Sequence, residues 1–312
     1  MNNQSYSNCL YFLAFSSYGE NQRFLSIAFF LIYVTGVIGN LIIITVIYLD
    51  SHLHTPMYFF LFSLAFVDIC YPTVTLPKLM DILLSGNNSI TFIQCFTQMY
   101  FFFAFAGIEV TLLSSMAYDR YIAICKPLRY HHIISRRLCV LVIVGTWIFG
   151  LINSALFTSL VSNLSICRSD KIKQFFCDVK AVADISCDRT TFYFYIYVET
   201  LTVGLITFSL NVISYINIIK SILHIKSKHG RQKTFSTCTS HFTVLIIFYG
   251  SAFWMYMRPP SESENLDPMF SVLYVGVTPM LNPLIYSLRN KEVKNALKRY
   301  ARIDMTKPPL SV

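Results

Sequence analysis

Seven long apolar runs divide this chain, and they constrain its fold more than any other feature. They are Phe24–Leu49, Met57–Leu76, Phe96–Met116, Leu138–Leu160, Tyr193–Ile219, Phe242–Met257 and Met269–Leu288. A hydrocarbon core about 30 Å thick takes roughly 20 residues at helical rise. The sixth run is the shortest and extends into polar flanks. A barrel is excluded, because period-two alternation is absent and the runs exceed strand length. Composition agrees: 54% of the 312 residues are hydrophobic and 13% charged, against about a quarter charged in a soluble domain. The expected fold is an all-α membrane protein, a seven-transmembrane helix bundle with a short amphipathic C-terminal helix. Residues 1–23 read as an extracellular tail, 24–288 as the bundle, and 289–312 as a cytoplasmic helix and tail.

The net charge of +9 reports topology. Nucleic-acid binding needs a basic face on a folded domain, whereas these cations sit in short segments between apolar runs. With the N-terminus outside, the second inner segment holds Arg120, Lys126, Arg129, Arg136 and Arg137. The third holds Lys220, Lys226, Lys228, Arg231 and Lys233, and the tail from Arg289 carries seven more. Only eight of the 25 Lys and Arg remain outside, which fits the positive-inside rule. The sequons at Asn3, Asn87 and Asn163 all fall on the outer side, and Asn3, on a free tail, is the candidate glycosylation site. Met1–Glu20 lacks the basic and compact apolar regions of a removable signal peptide.

Four cysteines lie on the oxidising side: Cys95 at the mouth of the third run, and Cys167, Cys177 and Cys187 in the long outer loop. They read as two disulfides, and spacing leaves three pairings open. Cys9, Cys70, Cys125, Cys139 and Cys238 read as free thiols. Cys238 and His241 have metal-ligand spacing but no further ligand beside them.

Local motifs narrow the class. Gly39-Asn40 lies in the first run, Asp68 in the second, Asp119-Arg120-Tyr121 at the end of the third, Trp147 in the fourth and Asn282-Pro283 with Tyr286 in the seventh. This set, in this order, resembles the rhodopsin-like G-protein-coupled receptors. Longer strings are more specific: LHTPMYFFL at 53–61, MAYDRYIAICKPLRY at 116–130, Ser214-Tyr215, KTFSTCTSH at 233–241, Phe248-Tyr249-Gly250 and PMLNPLIYSLRN at 279–290. They resemble the odorant-receptor branch, over about Phe24 to Arg299. Tyr11–Phe15 only loosely echoes that family's apolar-Gly motif, and the start of the fifth run, Thr191–Tyr197, is unusually aromatic.

The resemblance implies a plasma-membrane receptor, not an enzyme. Its partners would be a small volatile or hydrophobic ligand, the lipid bilayer and a stimulatory, olfactory-type heterotrimeric G protein that raises cAMP, with no nucleic acid. It pairs Cys95 with Cys177 and Cys167 with Cys187. It requires no cofactor, but suggests a sodium ion as allosteric modulator at Asp68 and Glu109. Intramembrane charge is costly and usually functional. Two carboxylates in low dielectric repel, so a proton or a cation belongs with them. Both should face Asn40 and Asn282.

At the inner end, Arg120 is the expected switch residue. Ser221–Ser240 contains no acid, so the clamp that many relatives outside this branch place on the sixth helix is missing. Arg120 is expected to rest against Asp119, Tyr215, Thr237 and His241. Pro279 and Pro283 remove backbone donors and let Tyr286 move toward Tyr215 and Arg120. Beyond Asn290, Val293, Leu297 and Tyr300 share one face of a surface-lying helix.

A ligand pocket belongs between helices in the outer half. The third run offers Phe102, Phe103, Ala106 and Gly107, the small residues giving room. By resemblance, the fifth contributes Glu199 and Val203, and the sixth Tyr249, Ala252, Phe253 and Tyr256. The seventh contributes Val272 and Val275. Glu199 is expected either to face the pocket and favour amines, or to hydrogen-bond a neighbouring helix.

Overall fold

The computed structural model describes residues 9–15, 22–224, 227–257, 267–289 and 291–306. Seven long helices form the bundle: α1 (Gln22–Leu49), α2 (Pro56–Ser85), α3 (Phe92–Cys125), α4 (Arg136–Ser162), α5 (Arg189–Leu223), α6 (Lys228–Tyr256) and α7. The last runs Asp267–Val272, then a π segment at Leu273–Val277, then Thr278–Arg289. A further helix, α8 (Lys291–Thr306), follows. Six of the seven are long and apolar enough to cross a bilayer, and α6 contributes a shorter apolar stretch, His241–Tyr256.

Burial sets each helix's place. The most apolar stretches of α2 and α3 are 61% and 56% buried, against 22% for α1 and α4. The first two are therefore the centre of the bundle, and the other two present most of their surface outward. Exposed Phe24, Ile27, Leu141, Ile148 and Leu156 are what a lipid-facing surface requires.

Termini and breaks follow local chemistry. A capping box joins Thr91 and Gln94 at the start of α3, satisfying orphan N–H groups. Gly86, with φ 72°, ends α2 in the left-handed conformation that lacks a steric cost only for glycine. Inside α7, Pro283 has no N–H for the carbonyl four residues earlier. That carbonyl, Pro279 O, accepts instead from Asn40 Nδ2 at 3.0 Å. The proline therefore ties α7 to α1, and a Cβ on Gly39 would meet Pro283 Cγ at 2.9 Å.

The outer face corrects the expectation of a free N-terminal tail. Cys9–Phe12 forms strand β1, antiparallel to β2 (Ser89–Thr91) and parallel to β3 (Lys171–Ile172). Leu10 pairs with Ile90 and Phe12 with Ile172. Leu10 and Phe12 are buried, so apolar burial pins the segment across two outer loops. Asn3 lies outside the described residues. A second correction concerns α8. Its Val293 and Ala296 are fully buried, and Arg299 pairs with Asp50 in the first inner loop. The helix thus docks on the bundle itself.

Candidate functional site

Three polar sites and one aromatic chamber line the bundle axis. At mid-depth, Asn282 Nδ2 donates to both Asp68 oxygens at 3.1 and 2.9 Å. Glu109 is buried on the adjoining α3, and among the described residues neither of its oxygens has a hydrogen-bond partner. Asn40 is not part of this cluster, since its amide serves Gly36 O and Pro279 O. Hard oxygen donors without partners are the type that suits a small cation or a water.

At the inner end the expected contacts rearrange. Asp119 accepts from the Tyr130 hydroxyl at 2.9 Å, and among the described residues no ion pair joins it to Arg120. Neighbours on a helix point about 100° apart, so Asp119 faces the turn after α3 while Arg120 faces inward. Arg120 is buried, and among the described residues its Nε has no hydrogen-bond partner. Tyr215 and His241 bond each other at 2.8 Å (Oη to Nδ1), linking α5 to α6. Lys126 lies over the Tyr121 ring. The side chains of Thr237 and Tyr286 lie outside the described residues.

The outer half holds a close-packed cluster of rings, an aromatic chamber filled by its own side chains. Phe102 sits 5.1 Å from Tyr71, 4.7 Å from Phe176, 5.4 Å from Phe103 and 6.1 Å from Tyr274, between ring centroids. Phe103 reaches Tyr256 at 6.4 Å, and Phe248 reaches Tyr274 at 5.4 Å. Val275 is buried, and Ala106, Val203, Ala252 and Val272 are half-buried against the hydrophobic core that runs through the bundle. Below it, Asn211 Nδ2 donates to Tyr249 Oη at 3.0 Å and to Ser114 Oγ at 2.9 Å, so α3, α5 and α6 share one polar node.

Three expected ligand residues do not reach this chamber. Phe253 is 67% exposed on the outer face of α6, half a turn from the inward Met255. Gly107 faces α4, where an added Cβ would lie 3.9 Å from Gly150 Cα, an ordinary contact. Glu199 takes a hydrogen bond from Asn153 Nδ2 at 2.5 Å, which is the neighbouring-helix alternative.

Sequence reasoning missed Tyr71, Phe175, Phe176 and Tyr274. A signal existed for two of them. Phe175 and Phe176 precede Cys177, which is bonded to Cys95 at the top of α3. A second disulfide joins Cys167 to Cys187. Gln98 locks the same junction, accepting from Cys177 N at 2.9 Å and donating to Val74 O at 2.9 Å.

Above the chamber lies an outer cavity of about 340 Å³, lined by Leu13, Lys171, Asp178, Lys180, Met255 and Asp267 among others. A buried ion pair, Lys180 to Asp267 at 3.1 Å, crosses from the outer loop to the top of α7. Burial pushes the Asp178 carboxyl above the usual carboxylate range, against the opposing pull of the Tyr256 hydroxyl and Lys180.

The family model described as "Olfactory receptor" matches residues 29–302, nearly all of this architecture. The chain belongs to the olfactory receptor family. It is 43% identical over 291 residues to Olfactory receptor 1G1 of Gorilla gorilla gorilla, covering 93% of each chain. It is 45% identical over 288 residues to Olfactory receptor 8G1 of Homo sapiens, covering 90% of this chain and 91% of that one. Olfactory receptor 8H1 of Homo sapiens is 48% identical over 285 residues, 90% of each. Family membership makes the protein a G-protein-coupled receptor and not an enzyme. With its apolar helices, it is a multi-pass protein of the cell membrane.

Proposed function

We propose that this olfactory receptor binds a small, mostly hydrophobic odorant among the rings of its outer half and activates a stimulatory, olfactory-type G protein that raises cAMP. The observation that carries the ligand site is the convergence of Tyr71, Phe102, Phe176, Phe248 and Tyr274 from four helices and the outer loop. Such a chamber binds by apolar burial, at about 25 cal/mol per Å². Tyr249 and its partner Asn211 offer a hydroxyl and an amide at the floor.

Orientation follows from the Lys and Arg distribution, which puts the N-terminus outside and the basic segments, with α8, inside. An odorant entering from the outer side would favour the state in which α6 moves away from Arg120, because a ligand shifts only states that it binds unequally. The Tyr215–His241 bond is the contact that such a movement strains first. A sodium ion held by Asp68 and Glu109, where unpartnered oxygens cluster, would favour the resting state.

The test is cAMP accumulation in cells expressing the receptor with the olfactory-type stimulatory α subunit, against a broad odorant panel. Phe102→Ala is expected to weaken active odorants by no more than about 5 kcal/mol, read as a rightward shift, with Phe253→Ala without effect. Responses insensitive to Phe102→Ala but shifted by Phe253→Ala overturn the ligand site. Ligand-evoked signalling through an inhibitory G protein alone overturns the coupling.

A further inference from the structure

Phe15 is the sole non-glycine residue with positive φ, 61°, among the described residues. That conformation is a genuine outlier for a bulky side chain and persists only where the surroundings hold it. Here they do. The ring is buried, 5.7 Å from Phe29 of α1 and 6.1 Å from Phe175 of the outer loop. The segment reaching it is fixed by β1, and Leu13 N–H donates to Ile172 O at 2.8 Å.

From Phe15 an unbroken series of rings leads down into the chamber. Phe175 lies 5.0 Å from Phe176, and Phe176 lies 4.7 Å from Phe102. Both outer-loop rings are buried. Their backbone is tied locally and to α3: Phe175 N–H donates to Gln174 Oε1 at 3.1 Å, Phe176 O accepts from Asp178 N–H at 2.9 Å, and Cys177 N–H donates to Gln98 Oε1 at 2.9 Å. The disulfide anchors Cys177 but leaves the two rings before it to be set by what packs above them.

We infer that Phe15 is a positioning residue for the ligand chamber: held over Phe175, it fixes Phe176 as the roof and so limits ligand length. The inference rests on the proposed ligand site. It assigns to the N-terminal segment a role in selectivity, without contact to ligand. Removing the ring frees Phe175 to rise and lets Phe176 follow, which lengthens the chamber along the bundle axis.

The test uses the full receptor and two readouts. In lipid nanodiscs, amide exchange of residues 174–178 is compared between wild type, Phe15→Gly and Phe15→Tyr. Glycine adopts the positive φ without steric strain, and Phe15→Tyr, which restores the ring, separates loss of the ring from the added backbone freedom. Exchange is expected to accelerate about five-fold in Phe15→Gly, the scale of one aromatic contact, with residues 110–117 unchanged. Phe15→Tyr is expected to restore it. In cells, responses to n-alkan-1-ols from butanol to decanol are ranked by half-maximal concentration. Phe15→Gly is expected to move the ranking toward longer members by about three-fold or more, and Phe15→Tyr to keep the wild-type order.

A merely structural role would lower all responses together with surface expression, and that result overturns the inference. Unchanged exchange at 174–178 overturns it whatever the signalling shows, and needs no active ligand. Faster exchange with an unmoved length ranking overturns it while leaving the ligand site intact. Half-maximal concentrations insensitive to Phe102→Ala overturn the ligand site itself.

Discussion

At the scale of single residues, buried polar groups report what each position does. Glu199 illustrates how a charged residue in a span can be occupied by structure. Its carboxylate accepts from Asn153 on α4, so Glu199→Gln keeps the bond and is expected to leave responses to amines and alcohols in their wild-type ratio. Glu199→Val strands the Asn153 amide and is expected to cost about 1–3 kcal/mol, read as a lower melting temperature in detergent. Glu109 is the contrasting case, buried beside the Asp68–Asn282 pair with both oxygens unpartnered among the described residues. If sodium occupies that site, replacing it by a large organic cation raises basal cAMP in wild type and not in Asp68→Asn. Equal sodium sensitivity in the two would sink the sodium reading.

Among elements, close approach decides which substitutions matter. A Cβ on Gly150 of α4 would meet Ile108 Cγ1 at 2.5 Å and the Ala104 carbonyl at 3.0 Å on α3. Gly150→Ala must push the helices apart and is expected to destabilise by about 1–3 kcal/mol. Gly145, on the same helix, has nothing within 4 Å, and Gly145→Ala is expected to be neutral or stabilising. Thermal unfolding of the two variants side by side checks this. A second junction joins α8 to the first inner loop. Burial works to raise the Asp50 carboxyl, but hydrogen bonds from Arg299 and His52 outweigh it and hold it below the usual carboxylate range. A depressed carboxyl stabilises the folded state above its unfolded pKa and loses that contribution as pH falls through the folded value. The stability difference between wild type and Asp50→Asn is therefore expected at pH 6, and to shrink as the pH falls below about 4. A pH-independent difference would count against the pairing.

At the scale of the whole molecule, the outer face is a cap tied at several points. Cys95–Cys177 closes a separation of 82 residues and Cys167–Cys187 one of 20. On chain entropy alone their removal costs about 4.5 and about 3 kcal/mol, upper bounds because the spans already confine the unfolded chain. Paired substitutions Cys95→Ser with Cys177→Ser are thus expected to lower the melting temperature more than Cys167→Ser with Cys187→Ser. They should also blunt odorant responses more, since Phe175 and Phe176 hang from Cys177.

The sequence by itself determined the seven helices, because burying a backbone in hydrocarbon leaves apolar length as the dominant signal. It also determined the family, because the strings around Asp119, His241 and Pro283 are long. It put Phe102, Phe103, Tyr256 and Val275 toward the bundle interior, and Asp68 beside Asn282. Only the tertiary structure decided which way each helix turns. Run length carries no rotational information when a helix is apolar all round, so Phe253 and Gly107 were assigned to the wrong face. Nor could local pattern reveal that Asp119 meets Tyr130, that Asn40 serves the carbonyl orphaned by Pro283, or that residues 9–15 close the outer face. The first depends on how the chain turns after α3, the other two join segments far apart in the chain, and Phe15, held over Phe175 by that closure, is where the distinction matters most.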